Sequence, residues 1–347
     1  MHSRLKTFLY RGGVTSTYHR WRNRRCLTVV MFHRVLPVGD PEWADAEPVW
    51  TVSDSVFRDC LDFFQKHYNV VGLQELLDAR QDSGKLPDRS LLITFDDGWA
   101  DTEWCALPIL KEAGLTAVVF VVAEGVGQQE LWQERVLKTW RLRRLEEGQL
   151  SSLMPDRTAK NGTSASLSCE STDTEWALIR RLTDMEPAER AETLEKFFSA
   201  IGRPQRAQML TQGQLRELHS SGMAIGSHGL THAPVPELSN VTRDLSEART
   251  LLARSLSIPK PKLQTLSFPY GIYDRAAVNA AYEAGYQLVF TSDKGLNTLP
   301  KGRRLPSVLG RLNIDGPAIS GGSGRLRPEL MASWLFARPH IYLESKQ

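Results

Sequence analysis

The chain has 347 residues, of which 41% are hydrophobic and 24% charged, and a net charge of +3. These proportions exclude a disordered tail, a collagen-like fibre and a small disulfide scaffold, and no apolar run reaches the ~18 residues of a membrane-spanning helix. Charge is unevenly spread: residues 1–25 hold seven Lys/Arg and no acid, which leaves the rest mildly acidic.

Residues 1–26 read as a basic lead-in. Leu5, Phe8 and Leu9 are interrupted by Arg11-Gly12-Gly13, so the apolar stretch of a secretory signal peptide is missing. The segment is either a solvated lead-in helix or one that touches anionic lipid, such as a membrane surface, or nucleic acid. Nothing else in the chain signals nucleic-acid binding. In chain order, the pattern then predicts strand 27–32, helix 56–68, strands 70–71 and 91–95, helix 101–113 and strand 116–122. After residues 126–205 it resumes with helix 214–220, strand 223–225, helix 241–256, strand 265–268, helix 274–284 and strands 287–291 and 308–314. Most strands are continuously apolar, as parallel strands covered on both faces are. Three helices end in Glu112-Ala113-Gly114, Ser220-Ser221-Gly222 and Glu283-Ala284-Gly285, each just before a strand. Glycine after a helix takes the left-handed conformation that turns the chain back into a sheet, so the repeat is a strand–helix unit.

Residues 126–205 break this rhythm. A charged helix over 128–147 spaces Trp132, Val136 and Trp140 four apart, a Ser/Thr-rich stretch covers 161–174, and two further helical segments end near Gly202-Arg203-Pro204. The expectation is a helical insertion that packs on the main body, with a lid over the cleft as the alternative. Residues 315–347 form a C-terminal extension. Cys26, Cys60, Cys105 and Cys169 are far apart and include no C-x-x-C pair, so free thiols in a reducing, cytoplasmic compartment are expected.

The residues that carry chemistry close predicted strands. Thr94-Phe95-Asp96-Asp97-Gly98 ends a buried strand in two carboxylates, which a core strand does not bury unpaired. Strand C-terminal ends form the active-site face of parallel α/β folds. Capping of the following helix by Asp97 or Asp101 is the structural alternative. Ser227-His228-Gly229-Leu230-Thr231-His232 offers two imidazoles four apart, on a helical face or in a tight loop. With Asp97 they make a two-His, one-carboxylate set with room left for water and substrate. Ser267-Phe268-Pro269-Tyr270-Gly271 and His33-Arg34 close two further strands.

TFDDG at 94–98, SHGLTH at 227–232 and FPYG at 268–271 together resemble the polysaccharide deacetylases of carbohydrate esterase family 4, the NodB homology domain. MFHRVLP at 31–37 is similar to the start of the subgroup that contains poly-N-acetylglucosamine deacetylases. The resemblance covers residues 27–125 and 206–314. It implies a deacetylase domain over 27–314 folded as a distorted (β/α)7 barrel of parallel strands, circularly permuted, interrupted by the insertion. It also implies metal-dependent removal of acetyl groups from an N-acetylhexosamine-containing glycan or its precursor. Asp97, His228 and His232 would hold a divalent metal, most simply zinc, with nickel, cobalt or iron as alternatives. Asp96 would be the general base, Tyr270 with Pro269 would form the oxyanion turn, and His33, moved to the chain's start by the permutation, would be the general acid.

Two departures accompany the resemblance. Many members carry an arginine in the strand before Pro-Tyr-Gly that holds the catalytic aspartate; here that strand reads Thr265-Leu266-Ser267-Phe268. Arg311 is the candidate replacement, or else a structural cation. The second aspartate motif is also missing, with Thr291-Ser292-Asp293 a weak stand-in. Two other readings stay open: a hydrolase of a different non-peptide C–N bond, and a non-catalytic glycan-binding protein with the same fold.

Overall fold

The computed structural model describes residues 2–81, 85–141, 179, 181–183, 185–199, 207–299 and 304–343. They fall into two compact units, 1–128 with 209–347, and 129–208. In the smaller unit, helices Trp132–Arg141 and Pro187–Ser199 are described, with Leu131, Val136 and Leu137 buried. The Trp140 side chain, the 161–174 stretch, Cys169 and the Gly202-Arg203-Pro204 turn lie outside what is described.

The larger unit is built on β1 (Cys26–Phe32), all seven residues of which are buried. Such a strand must be covered on both faces, as its unbroken apolar sequence implied. After β1 come β2 (Arg34–Leu36) and β3 (Thr51–Ser53), paired with each other as a small parallel sheet. The main sheet continues with β4 (Asn69–Val70), β5 (Ser90–Phe95), β6 (Val118–Val121), β7 (Ala224–Ser227), β8 (Thr265–Ser267) and β9 (Leu288–Phe290). Next are β10 (Leu296–Thr298), β11 (Val308–Leu309), β12 (Leu312–Asn313) and β13 (His340–Ile341). Side by side and parallel run β11-β9-β8-β7-β6-β5-β1, and β12 pairs in parallel with the far side of β1. Residues 308–313 therefore touch both ends of the parallel run, and the sheet curls on itself around that segment.

Two expectations are corrected. The sheet is mixed, because β10 runs antiparallel to β1 and carries β13 at its other edge. The reason lies in Asn297, a buried amide that donates to the Gly310 and Leu27 carbonyls at 2.9 and 3.3 Å and accepts from Gly310 N at 2.8 Å. A three-residue strand held by one side chain shows no periodicity. Helix 101–113 is likewise two pieces, a π-helical turn Thr102–Ala106 and an α-helix Leu107–Ala113. Single π turns of this kind concentrate at functional sites.

Successive strand residues face opposite ways. Leu27, Val29, Leu92, Val118, Phe120, Leu288, Phe290 and Leu309 fill one cluster, which also takes Leu76 and Leu77 of helix Leu73–Gln81. Val30, Phe32, Leu91, Ile93, Phe95, Val119 and Val121 face the other way, against the helices.

The basic start forms two helices, α1 (His2–Arg11) and α2 (Val14–Arg22). His19 anchors them: its ring stacks on Phe336 with centroids 4.0 Å apart and meets the Tyr68 ring at 4.6 Å. The Asn23 amide donates to His19 Nδ1 at 2.9 Å, so His19 Nε2 carries the proton and donates to the His67 carbonyl at 3.3 Å. Tyr10 Oη bonds His67 Nε2 at 3.0 Å. Burial holds the pKa of His19 down at about 3 and that of His67 at about 4, against 6.5. Below pH 6.5 the unfolded chain therefore binds protons that the folded chain refuses. Stability should be insensitive to these groups above pH 6.5 and fall as the pH drops from 6.5 toward 4. His19→Gln should be less stable at neutral pH yet show a shallower acid fall in melting temperature. Parallel curves for the two proteins would rule the linkage out.

Candidate metal centre and active site

Thr94 and Asp96 continue the inward register of Leu92, so Asp96 enters the mouth of the sheet by strand parity alone. Asp97 by the same parity would turn away. Its backbone instead adopts φ 71° and Gly98 follows at 87°, which swings the second carboxylate back toward the first. A side chain at 98 would meet Val121 at 2.9 Å, so the turn also needs glycine for space. Trp99 Nε1 donates to Asp97 Oδ2 at 2.8 Å, leaving Oδ1 for another partner. Asp101 does not cap the next helix: it accepts from Arg34 Nε and Val35 N, both at 2.9 Å.

The second segment is a tight loop rather than a helix, with Gly229 at φ 79° and His232 at 63°. His228 Nδ1 lies 2.9 Å from the Ser267 carbonyl. A carbonyl only accepts, so Nδ1 holds the proton and Nε2 presents its lone pair, the arrangement that fixes metal-binding imidazoles. Both His228 Nε2 and His232 Nε2 lie 3.3 Å from Asp97 Oδ1. That is close to the ~3.3 Å separation set by ~2.0–2.1 Å ligand bonds meeting at tetrahedral angles. All three donors are buried and lie within 4.8 Å of one another. Their spacing, tautomer and chemistry fit a divalent cation.

In the third segment Tyr270 adopts φ 56° and Gly271 67°, and a side chain at 271 would run into Ser292 at 2.3 Å. Pro269 is buried and lies against Gly229, while the Tyr270 ring sits 4.3 Å from that of His232. The turn therefore brings Pro269 and the Tyr270 ring beside the loop that carries the two histidines.

Arg311 occupies the break between β11 and β12, and its guanidinium lies bidentate on Asp96 at 2.6 and 2.7 Å. It also donates to Ser267 Oγ at 2.7 Å and to the Thr291 carbonyl at 3.1 Å. Asp293 accepts from the Thr291 and Tyr273 hydroxyls at 3.0 and 2.6 Å, bracing the strand that receives Arg311. Burial pushes the Asp96 carboxyl up, but Arg311 and then His228 outweigh it and leave Asp96 below the usual carboxylate range. Burial lowers the basicity of His228, and Asp96 and Asp97 more than restore it.

His33 follows β1 directly, with its ring 4.5 Å from that of Trp50 and its Nδ1 buried without a protein partner among the described residues. Burial lowers its pKa, and Asp97 and Asp96 only partly offset this, which puts His33 within the field of the same carboxylates. All eight residues singled out in the sequence thus gather around one end of the sheet. Sequence reasoning missed Trp99, Trp50, Ser267 and the buried Arg34–Glu42–Asp101 network, in which Arg34 also lies 4.4 Å over the Trp99 ring. The local signals were a tryptophan directly after Asp-Asp-Gly and the places of Ser267 and Arg34 in motifs that close strands.

Residues 83–166 and 169–289, more than half of the chain, match the family model described as polysaccharide deacetylase. A Bacillus subtilis (strain 168) protein named "Putative polysaccharide deacetylase YxkH" is 20% identical over 241 residues, covering 69% of this chain and 56% of that protein. The chain thus spans just over half the length of that relative. The Streptococcus pyogenes deacetylase PplD, solved with acetate, is similar in fold with a TM-score of 0.55 at 16% identity, over 89% of this chain and 98% of that one. IcaB from Ammonifex degensii gives 0.54 at 18% identity, over 90% and 98%. The de-N-acetylase of Aggregatibacter actinomycetemcomitans gives 0.52 at 18%, over 84% and 95%.

Elemental analysis of purified protein tests the cluster. A divalent metal should copurify and be lost from Asp97→Ala and His228→Ala but retained by Asp96→Asn. Trp99→Phe, which removes one hydrogen bond to a ligand, should weaken metal binding by about 10–100-fold. Undiminished metal in Asp97→Ala would sink the assignment.

Proposed function

We propose that this chain, which belongs to the polysaccharide deacetylase family, is a metal-dependent hydrolase that removes N-acetyl groups from an N-acetylhexosamine-containing glycan. The observation that carries this reading is Asp96: an ionised, arginine-clamped carboxylate whose Oδ2 is 3.9 Å from His228 Nε2, at the edge of the two-His, one-carboxylate cluster. Asp97, His228 and His232 would hold a divalent cation, which when bound would supply Lewis acidity toward the acetyl carbonyl and would lower the pKa of water from ~16 to ~7.

The chain's own residues do the rest. Asp96 accepts the proton of the attacking water, and Arg311 keeps its carboxylate ionised and fixed in plane. The Tyr270 backbone N–H, in its left-handed turn, donates to the oxyanion as the carbonyl becomes tetrahedral. His33 gives a proton to the departing sugar nitrogen; among the described residues no acceptor competes for a proton on its Nδ1. The Trp50 and Tyr270 rings, beside His33 and His232, offer apolar faces to a sugar.

Two imidazoles and a carboxylate without thiolate suit zinc, and accept nickel, cobalt or iron. An arginine missing from 265–268 favours a non-catalytic binder; Arg311 makes that contact with Asp96 from the break between β11 and β12, which favours an enzyme. The position of β1 between β12 and β5 supports reading it as the family's displaced last strand, and with it the (β/α)7 description and the poly-N-acetylglucosamine subgroup. Cys26, Cys60 and Cys105 are buried free thiols, which supports a cytoplasmic setting. No helix among the described residues is long and apolar enough to cross a membrane.

Acetate release from N-acetylglucosamine oligomers by metal-loaded protein is the test. Asp96→Asn and His33→Gln should each lower kcat by about 10²-fold or more with metal content unchanged. Arg311→Lys keeps the charge but loses the fork, so it should lower kcat while retaining fold and metal. No acetate from any acetylated glycan would overturn the proposal.

A further inference from the structure

The outward face of α1 and α2 plays no part in the chemistry above. Leu5, Phe8, Val14, Tyr18 and Trp21 make up most of the exposed large hydrophobics among the described residues, with Trp21 80%, Phe8 73% and Leu5 57% exposed. Leu5 and Phe8 are three apart on α1, and Val14, Tyr18 and Trp21 are four and three apart on α2, so each helix presents a single apolar stripe. The opposite faces are committed. Tyr10 and His19 sit in the aromatic cluster with His67 and Phe336, Thr7 donates to Glu329 at 3.1 Å, and Asn23 donates to the Phe336 carbonyl at 2.9 Å. Both helices thus rest on the same support, Pro328–Phe336, and turn their stripes away from it.

Arg4, Lys6, Arg11, Arg20, Arg24 and Arg25 are exposed around these stripes. Two acids lie nearby: Asp88 is paired with Arg24, and Glu329 is held by Arg327 and Thr7. Apolar side chains including tryptophan, ringed by long cationic ones and with no acid on either helix, form the pattern of a helix that lies in a lipid–water interface. We infer that this face docks on the surface of an anionic phospholipid bilayer, with Leu5, Phe8 and Trp21 entering the headgroup region and the cations meeting lipid phosphates.

The placement is compatible with catalysis. β1 starts at Cys26, just after α2, and reaches His33 seven residues later, about 23 Å away at ~3.3 Å per residue. α2 thus leads into one end of β1 and the metal-ligand set lies at the other, so the docking face takes up none of the site's residues.

The full-length protein should sediment with vesicles of phosphatidylcholine and phosphatidylglycerol but not with phosphatidylcholine alone. Raising salt from about 0.1 M to about 1 M, which shortens the screening length from ~10 to ~3 Å, should release it. Phe8→Ser with Trp21→Ser, and separately Lys6→Glu with Arg20→Glu, should each weaken vesicle binding about tenfold or more while leaving circular dichroism and metal content unchanged. Equal binding to neutral vesicles, no binding at low salt, or variants that bind as well as the parent would each overturn the inference. So would a dimer in ultracentrifugation that the Phe8→Ser, Trp21→Ser protein no longer forms, since that would give the face to a second copy. Vesicle binding is read without substrate, so its failure is distinct from a failure of the deacetylase reading.

Discussion

A carboxylate shut away from water needs a counter-charge, and at Asp96 that requirement shapes the sheet. Arg311 and Asp96 are 1% and 3% exposed, and desolvating such a pair costs several kcal/mol per ion unless the remaining donors are also satisfied. Here they are: the guanidinium reaches Asp96 after β5, Ser267 on β8 and the Thr291 carbonyl after β9, from its own place between β11 and β12. One cation links four parts of the curled sheet. A pair of this kind contributes little net stability compared with well-packed apolar residues. What it contributes is position. The segment that bridges the sheet's two ends also delivers the charge that keeps Asp96 ionised.

The second constraint is backbone strain. Among the described residues five non-glycine residues have positive φ, and three of them, Asp97, His232 and Tyr270, belong to the site. Each such residue costs on the order of 1–3 kcal/mol and persists only where surrounding contacts over-determine it. The contacts differ in each case. Asp97 is held by Trp99 and by the imidazoles, His232 by its place beside Asp97, and Tyr270 by Pro269 before it and a glycine at 271 that Ser292 leaves no room to replace. Strand parity alone sends Asp96 inward and Asp97 outward. The strain at Asp97 is what allows two adjacent carboxylates to do different work at one centre.

This division explains what could be read in the sequence. Continuous apolar runs revealed β1, β5, β6 and the late strand, and residues closing those runs marked the site, because both signals are local. The partner of Asp96 is 215 residues away, and nothing near Arg311 distinguishes it from a structural cation. Its role depends on the break at Gly310-Arg311, where one predicted strand becomes two with different neighbours. The antiparallel β10 and the paired β2 and β3 were equally hidden, since each is three residues long and fixed by tertiary bonds from Asn297 or Arg34. The basic start was legible as charge and as helix, but not in its packing. That α1 and α2 fold back on the body follows from the aromatic pocket around His19, which no local pattern encodes.

The strained loops also need rigid roots, and these lie one residue upstream. Phe32 precedes His33, Phe95 precedes Asp96, and by strand parity both rings point opposite to their functional neighbours. The two rings stack with centroids 5.5 Å apart, and Phe57 meets them edge-on at 5.1 and 5.7 Å. Such pairs contribute about 0.5–1.5 kcal/mol each beyond the area they bury. The Asp96 amide then donates to the Phe32 carbonyl at 3.0 Å, locking the two strand ends in register. The proposed acid and base are therefore carried by adjacent parallel strands whose last core residues form one aromatic cluster. A shift of either strand would have to break that cluster before it moved His33 relative to Asp96. Precision at the polar end is thus supplied from the apolar side of the same strands.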